Sequence, residues 1–462
     1  MARPRLLGAL LGALALGASR AQLTVLNNTR CHNDIGQFHD IAGWASCSPL
    51  CMAKLSAPAF SFCSPASAPA SCPVPNGTCW CFTAAADCEA SDGWTSGFEP
   101  PAPPLPPPAD WAAAIARGDM KFTADAADVI GPGYFPVVAN GFVGFEVGPF
   151  TQLFENSWPW RDAGSLKMAG VYSGLNFASP SHRAQIPKVS DVTLLAPPGA
   201  NVTAQGCAID YRAGVYYNRT LVVGGLPGCA DGTVIEQRAY AHRALRELFV
   251  FELRAFSAAG DPGWAGCTLP VAWAISPNVA ALNDTALTQA PAGSPGAVAW
   301  SGTTLLPEEP GLPLRQLAVV FDAWAAAAPT SLIFTPAAPL LSLRAVLRSD
   351  LDVPGAQTPA DVAAAAAATW ATYAAESPAD LLASHEAAMA QLWSSGVELA
   401  GNASFAANVN ASVFDIVSSL RADWNWSTSP GGLATGGYSG HSFWDMGAYI
   451  EEVSLLPPTA TH

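Results

Sequence analysis

A chain of 462 residues, half of them apolar, is long enough for two or three domains with sizeable cores and is not a disordered polymer. Its 21 basic residues, only four of them lysine, stand against 36 acidic ones for a formal charge of −15. That balance argues against a nucleic-acid or anionic-membrane partner and suits a neutral ligand.

At the amino end, Arg3 and Arg5 precede an apolar run over 6–16, and the small residues Ser19 and Ala21 flank Arg20, so residues 1–21 read as a secretory signal peptide. The run is too short to span a bilayer, and no later stretch is long enough, so no transmembrane segment is expected. The mature chain is expected in the secretory pathway, secreted or lumenal. Eight N-x-S/T sequons, at Asn27, Asn76, Asn201, Asn218, Asn283, Asn402, Asn410 and Asn425, suggest a glycoprotein.

Eight of the eleven cysteines fall between Cys31 and Cys88, so residues 22–98 read as a disulfide-stapled module whose connectivity the sequence does not determine. Cys47, Cys51, Phe60-Ser61-Phe62-Cys63 and Cys79-Trp80-Cys81-Phe82 resemble the apple or PAN class of small binding modules. The proline-rich stretch 99–110 is a semi-rigid polyproline II linker that marks a domain boundary.

From 111 to 343 short apolar runs alternate with Gly and Pro. Over 245–256, Phe249, Phe251, Leu253 and Ala255 fall on one face, with Glu252 and Arg254 on the other. Further strands are expected at 216–223, 269–275, 317–321 and 331–334. Many short strands between turns imply a large antiparallel β-sandwich. Within it stand three blocks, Asn140-Gly141-Phe142-Val143-Gly144, Gly170-Val171-Tyr172-Ser173-Gly174 and Ser181-His182-Arg183-Ala184-Gln185-Ile186-Pro187. Trp158 and Trp160 read as core or interface residues. Cys207, Cys229 and Cys267 form one pair at most among themselves, leaving a free thiol or a bridge to the amino-terminal module.

Thr358-Pro359-Ala360-Asp361 and Ser377-Pro378-Ala379-Asp380 each place a hydroxyl at an N-cap, proline at the first helical position and an acid at the third. They predict helices over 359–375 and 378–394, in a helical connector spanning 344–404. The alanine run 363–368 favours helix and carries no chemistry. Phe405, Val409, Val413, Ile416 and Leu420 recur at helical spacing and predict a third, amphipathic helix.

After it comes Gly437-Tyr438-Ser439-Gly440-His441-Ser442-Phe443-Trp444-Asp445. Two glycines allow a sharp turn, aromatic faces stack on the apolar side of a pyranose, and a carboxylate accepts hydrogen bonds from neighbouring hydroxyls. That is the furniture of a sugar pocket, although an aromatic loop plugging a core reads equally well from composition. With Ser429-Pro430-Gly431-Gly432-Leu433 ahead of it, the stretch resembles the start of the catalytic domain of glycoside hydrolase family 65. That family holds acid trehalases, maltose and kojibiose phosphorylases, and the glucosidase of glucosyl-galactosyl-hydroxylysine in collagen, whose branch is the most similar. The three earlier blocks resemble, in order, the family's amino-terminal pattern.

The resemblance implies that 405–462 begins an (α/α)6 barrel, incomplete in this chain. It also implies hydrolysis of an α-glucoside with inversion, by a general-acid glutamate that has no counterpart here. The 462-residue form is therefore expected to be an inactive fragment. Asp445 is implied to hold glucose hydroxyls, Trp444 and Phe443 to wall the sugar, and His441 to support the loop. His182 and Arg183 either reach toward the sugar or make a hydrogen-bonded structural pair. Glu451 and Glu452 are expected to face solvent rather than to act as catalysts. Phosphorolysis and non-catalytic glycan binding are the alternatives. No metal or cofactor is expected, because no His/Cys/Asp cluster outside the cysteine module has ligand spacing.

Overall fold

The computed structural model describes residues 107–123, 137–146, 165–174, 181–187, 191–194, 202–222, 229–260, 264–274, 284–326, 331–395 and 399–443, together with five strands nearer the amino end. The leader, most of the proline-rich linker, Trp158, Trp160, Trp444, Asp445, Glu451 and Glu452 lie outside the described residues. The five early strands are β1 (Thr24–Cys31), β2 (Asp34–Phe38), β3 (Ala59–Cys63), β4 (Cys79–Phe82) and β5 (Cys88–Phe98). They form one antiparallel sheet in the order β1-β5-β3-β4-β2.

Four further sheets follow. A short helix α1 (Ala112–Arg117) leads into β6 (Met120–Thr123). The small strands β7 (Val137–Ala139), β8 (Val143–Glu146), β9 (Ser165–Met168), β10 (Tyr172–Ser173), β11 (His182–Arg183), β12 (Ile186–Pro187) and β13 (Asp191–Leu194) come next. Then come β14 (Val202–Asp210), β15 (Val215–Val222), β16 (Thr233–Ala241), β17 (Leu248–Ser257) and β18 (Cys267–Ala274). β19 (Thr285–Ala290), β20 (Ala297–Thr304), β21 (Gln316–Asp322), the single-turn α2 (Ala323–Ala326), β22 (Ser331–Phe334) and β23 (Leu340–Ser349) complete the strands. Nine of them make a large antiparallel sheet in the order β19-β20-β21-β23-β17-β16-β15-β14-β6. The others form a four-stranded sheet (β12-β9-β8-β7), a three-stranded one (β13-β18-β22) and the β10–β11 pair.

The large sheet buries both faces. Along β17, Phe249, Phe251, Leu253 and Ala255 enter one core, shared with Phe145 and Leu166 of the four-stranded sheet and Leu269 of the three-stranded one. Leu248 and Val250 enter a second core on the opposite face. The two-residue period of a strand makes this division. Glu252, expected on a polar face, is fully buried on the second side, where its carboxylate pairs with Arg238 at 2.5 Å.

That second face is covered by helix. α3 (Pro359–Tyr373) and α4 (Pro378–Leu392) start where the N-cap signatures place them. Thr358 and Asp361 make a reciprocal capping box, and the Ser377 hydroxyl accepts from Asp380 N at 3.1 Å. Ala363, Ala366 and Ala367 lie buried in the second core beside Trp370, so the alanine run has a packing role beyond helix propensity, its small side chains letting the helix sit close to the sheet. α5 (Ala403–Ser419) forms with a different inner face from the one expected. Ala406, Asn410, Phe414 and Ser418 are buried, whereas Phe405 is 56% exposed. The polar Asn410 escapes a hydrophobic count because its amide finds the Gly118 carbonyl at 2.9 Å.

Cys229 and Cys267 form a disulfide, and Cys207 is a free, buried thiol that burial pushes up to about 11. Two of the sequon asparagines are buried. Asn218 and Asn410 are 1% and 4% exposed, leaving no room for an oligosaccharide on either amide. No helix among the described residues is long and apolar enough to cross a membrane.

Candidate functional site: a clamped aromatic loop

Beyond α5 the chain folds into a compact loop, and the three amino-terminal blocks are where it docks. The first block anchors the end of α5. Asn140, fully buried, accepts from Phe142 N and Val143 N and donates to the carbonyls of His242 and Arg246, all at 2.9 Å. Arg243 donates to the carbonyls of Asn140, Val417 and Leu420 at 2.9–3.0 Å, which satisfies helix-end carbonyls that have no partner within the helix. Burial lowers the Arg243 guanidinium to about 10, with Arg421 close by adding to the effect.

The other two blocks meet in the β10–β11 pair, where Tyr172 lies opposite Arg183 and Ser173 opposite His182. Arg183, 2% exposed, donates through Nη1 to the carbonyls of Gly432 (2.8 Å) and Leu433 (2.9 Å), and through Nη2 to that of Gly440 (3.0 Å). The Tyr172 hydroxyl donates to the same Gly440 carbonyl at 2.6 Å. The Tyr172 ring stacks on His441, with centroids 5.1 Å apart and planes 13° apart. His441 Nε2 lies 2.8 Å from the Ser181 carbonyl, which can only accept, so the proton sits on Nε2. Gly440 has φ of 80°, and a Cβ there would lie 2.8 Å from that of Arg183. Gly170 plays the matching part below Trp426, whose ring would be 2.4 Å from an added Cβ.

The loop is also tied to itself. Thr435 Oγ1 donates to the Gly431 carbonyl at 2.6 Å and accepts from Gly437 N at 3.1 Å. Ser442 Oγ donates to the Thr428 carbonyl at 3.1 Å and touches Ser427 Oγ. Tyr438 and Ser439 are both left-handed, at φ of 53° and 55°, which costs about 1–2 kcal/mol for each non-glycine residue. That strained pair presents Tyr438 at 59% exposure against Phe443 at 44%, their ring centroids 5.2 Å apart. Trp444 and Asp445 follow directly, outside the described residues.

No family model matches the chain. Over 78 residues it is 44% identical to a protein-glucosylgalactosylhydroxylysine glucosidase of Dictyostelium discoideum, a match covering 17% of this chain and 10% of that protein. It is also similar to the solved structure of a putative kojibiose phosphorylase from human microbiome, with a TM-score of 0.54 at 11% identity over 74% of this chain and 47% of that one. The chain thus shows partial homology to glycoside hydrolase family 65, over those 78 residues. At such low identity the structural match speaks for the fold, and the chain spans less than half of the phosphorylase.

The structure separates the expected site residues. His441 and Phe443 lie in the clamped loop, and Arg183 holds it from beneath. His182 does not meet the loop. Its Nε2 pairs with Asp284 Oδ1 at 2.8 Å, both side chains being buried, and Asp284 also accepts from Gln185 N at 3.1 Å. Successive residues of a strand point to opposite faces, so His182 and Arg183 do not pair with each other. Tyr172, Ser181 and Arg243 escaped the sequence reading as site-shaping residues. For Tyr172 and Ser181 the available signal was their membership in the three blocks, which proved to be the surface that receives the segment 417–441, whereas Arg243 lies far from them in sequence.

Proposed function

We propose that the protein works on α-glucosides as an inverting O-glycosyl hydrolase of the family 65 type, and that the stretch 437–445 binds the glucose unit. The observation that carries this reading is the double hold of Arg183 and Tyr172 on the Gly440 carbonyl. It fixes the backbone immediately before His441 and lets a strained turn display Tyr438 and Phe443 to solvent. A loop serving only to plug a core would bury those rings. In the proposed site Phe443 and Trp444 wall the sugar, Asp445 accepts from its hydroxyls and His441 fixes the loop. The described residues are given substrate binding and no catalytic carboxylate. The likeness to the Dictyostelium discoideum protein-glucosylgalactosylhydroxylysine glucosidase supports glucosyl-galactosyl-hydroxylysine as substrate, with a trehalose-like disaccharide as the small-molecule counterpart. The Cys229–Cys267 disulfide supports an oxidising, secretory compartment.

The test is saturable binding of glucosyl-galactosyl-hydroxylysine or trehalose, followed by ligand-observed NMR, with free glucose and its anomer measured in the same tube. Binding by this chain that Asp445→Asn abolishes, with β-glucose released from the α-glucoside only by a longer form that carries the family's general-acid glutamate, is the expected result for the hydrolase. Binding without turnover by that longer form favours a secreted glycan-binding protein instead, and its phosphate-dependent release of glucose 1-phosphate favours phosphorolysis. No binding and no turnover would sink the reading.

A further inference from the structure

Four sequons lie where the structure describes side chains, and the fold divides them. Asn218 sits in β15 at 1% exposure, and Asn410 in α5 spends its Nδ2 on the Gly118 carbonyl. Asn402 and Asn425 are exposed. Asn402 is the N-cap of α5: its Oδ1 accepts from Phe405 N at 3.0 Å, and its neighbour Gly401 has open space around it. An N-glycan is attached through Nδ2 and leaves Oδ1 an acceptor, so the cap and the sugar are compatible on one side chain. Asn425 lies between Trp424, edge-on to Phe142, and Trp426, whose ring lies over Gly170. Both flanking rings are placed by the fold, so Asn425 stands at the rim of the clamped loop.

We infer that, of these four, Asn402 and Asn425 are the N-glycosylated asparagines, and that the Asn425 glycan borders the sugar-binding loop. The inference rests on the secretory reading above. The donor is an oligosaccharide carried on a lipid pyrophosphate. The bond from Nδ2 to the sugar C1 forms as the bond from C1 to the pyrophosphate oxygen breaks, the amide loses one proton, and the lipid pyrophosphate leaves.

The experiment expresses the full chain in eukaryotic cells behind a heterologous signal peptide, removes glycans with peptide N-glycosidase in 18O water and maps the peptides. Expected are 18O-labelled aspartate at 402 and 425 and unmodified asparagine at 218 and 410. Ser404→Ala, which keeps the helix cap, and Asn425→Gln each remove one glycan-sized step of gel mobility. Glycan at 218 or 410 in the folded protein, or none at 402 or at 425, overturns the assignment. Because the signal is supplied, these outcomes do not depend on the chain's own leader. The secretory reading is checked separately by fusing residues 1–21 to a reporter, which fails to leave the cell if that reading is wrong.

Discussion

Arg183 concentrates more of the loop's geometry than any other described side chain, since one guanidinium reaches carbonyls on both of its glycine turns. A lysine keeps the charge but has no planar fork, so Arg183→Lys is expected to destabilise the protein by about 2–4 kcal/mol in urea unfolding. Gly440→Ala forces a side chain into left-handed backbone and against Arg183, and is expected to cost at least about 2 kcal/mol by the same measurement. At this scale the sequence was half legible. Gly440, His441 and Phe443 stood out because glycine and ring chemistry cluster there. The partner of Arg183 did not, because main-chain carbonyls leave no mark on residue type.

Among the elements, α4 is held by two buried imidazoles. His242 Nε2 donates to the Leu381 carbonyl at 2.9 Å, and His385 Nδ1 accepts from Arg243 N at 3.0 Å. Burial lowers His385 to about 3, helped by neighbouring His242, itself lowered to about 4 by burial. An unfolded histidine takes up its proton near pH 6.5, whereas folded His385 stays neutral, so its part of the stability is complete above that pH and is lost as pH falls toward 3. Compared with His385→Gln, the wild type is expected to forfeit up to about 1.4 kcal/mol per pH unit below 6.5, measured as the difference between two denaturation series. Thr358→Ala should cost about 1 kcal/mol through the lost cap of α3. Helix starts and the period of β17 were readable, because capping and alternation are local. The inner face of α5 was not, because Asn410 is buried by a partner 292 residues away in sequence.

In the whole molecule a nine-stranded sheet, backed by helix on one face and smaller sheets on the other, offers a rigid platform for one strained aromatic loop. The Cys229–Cys267 bridge closes a separation of 38 residues, so reduction should lower stability by about 4 kcal/mol, seen as a drop in thermal midpoint with reductant. A sheet was legible in the turn-punctuated strands; its layering was not, since strand order depends on contacts far apart in the chain. The most direct measurement is a calorimetric titration of wild type and Tyr172→Phe with glucosyl-galactosyl-hydroxylysine. Tyr172→Phe removes one hydrogen bond to the Gly440 carbonyl while keeping the ring that stacks on His441. If the clamp presets a sugar-binding loop, wild type binds saturably and the variant binds about tenfold more weakly at a stability cost of only about 1 kcal/mol. Equal affinity in both proteins, or no binding by the wild type, would contradict it.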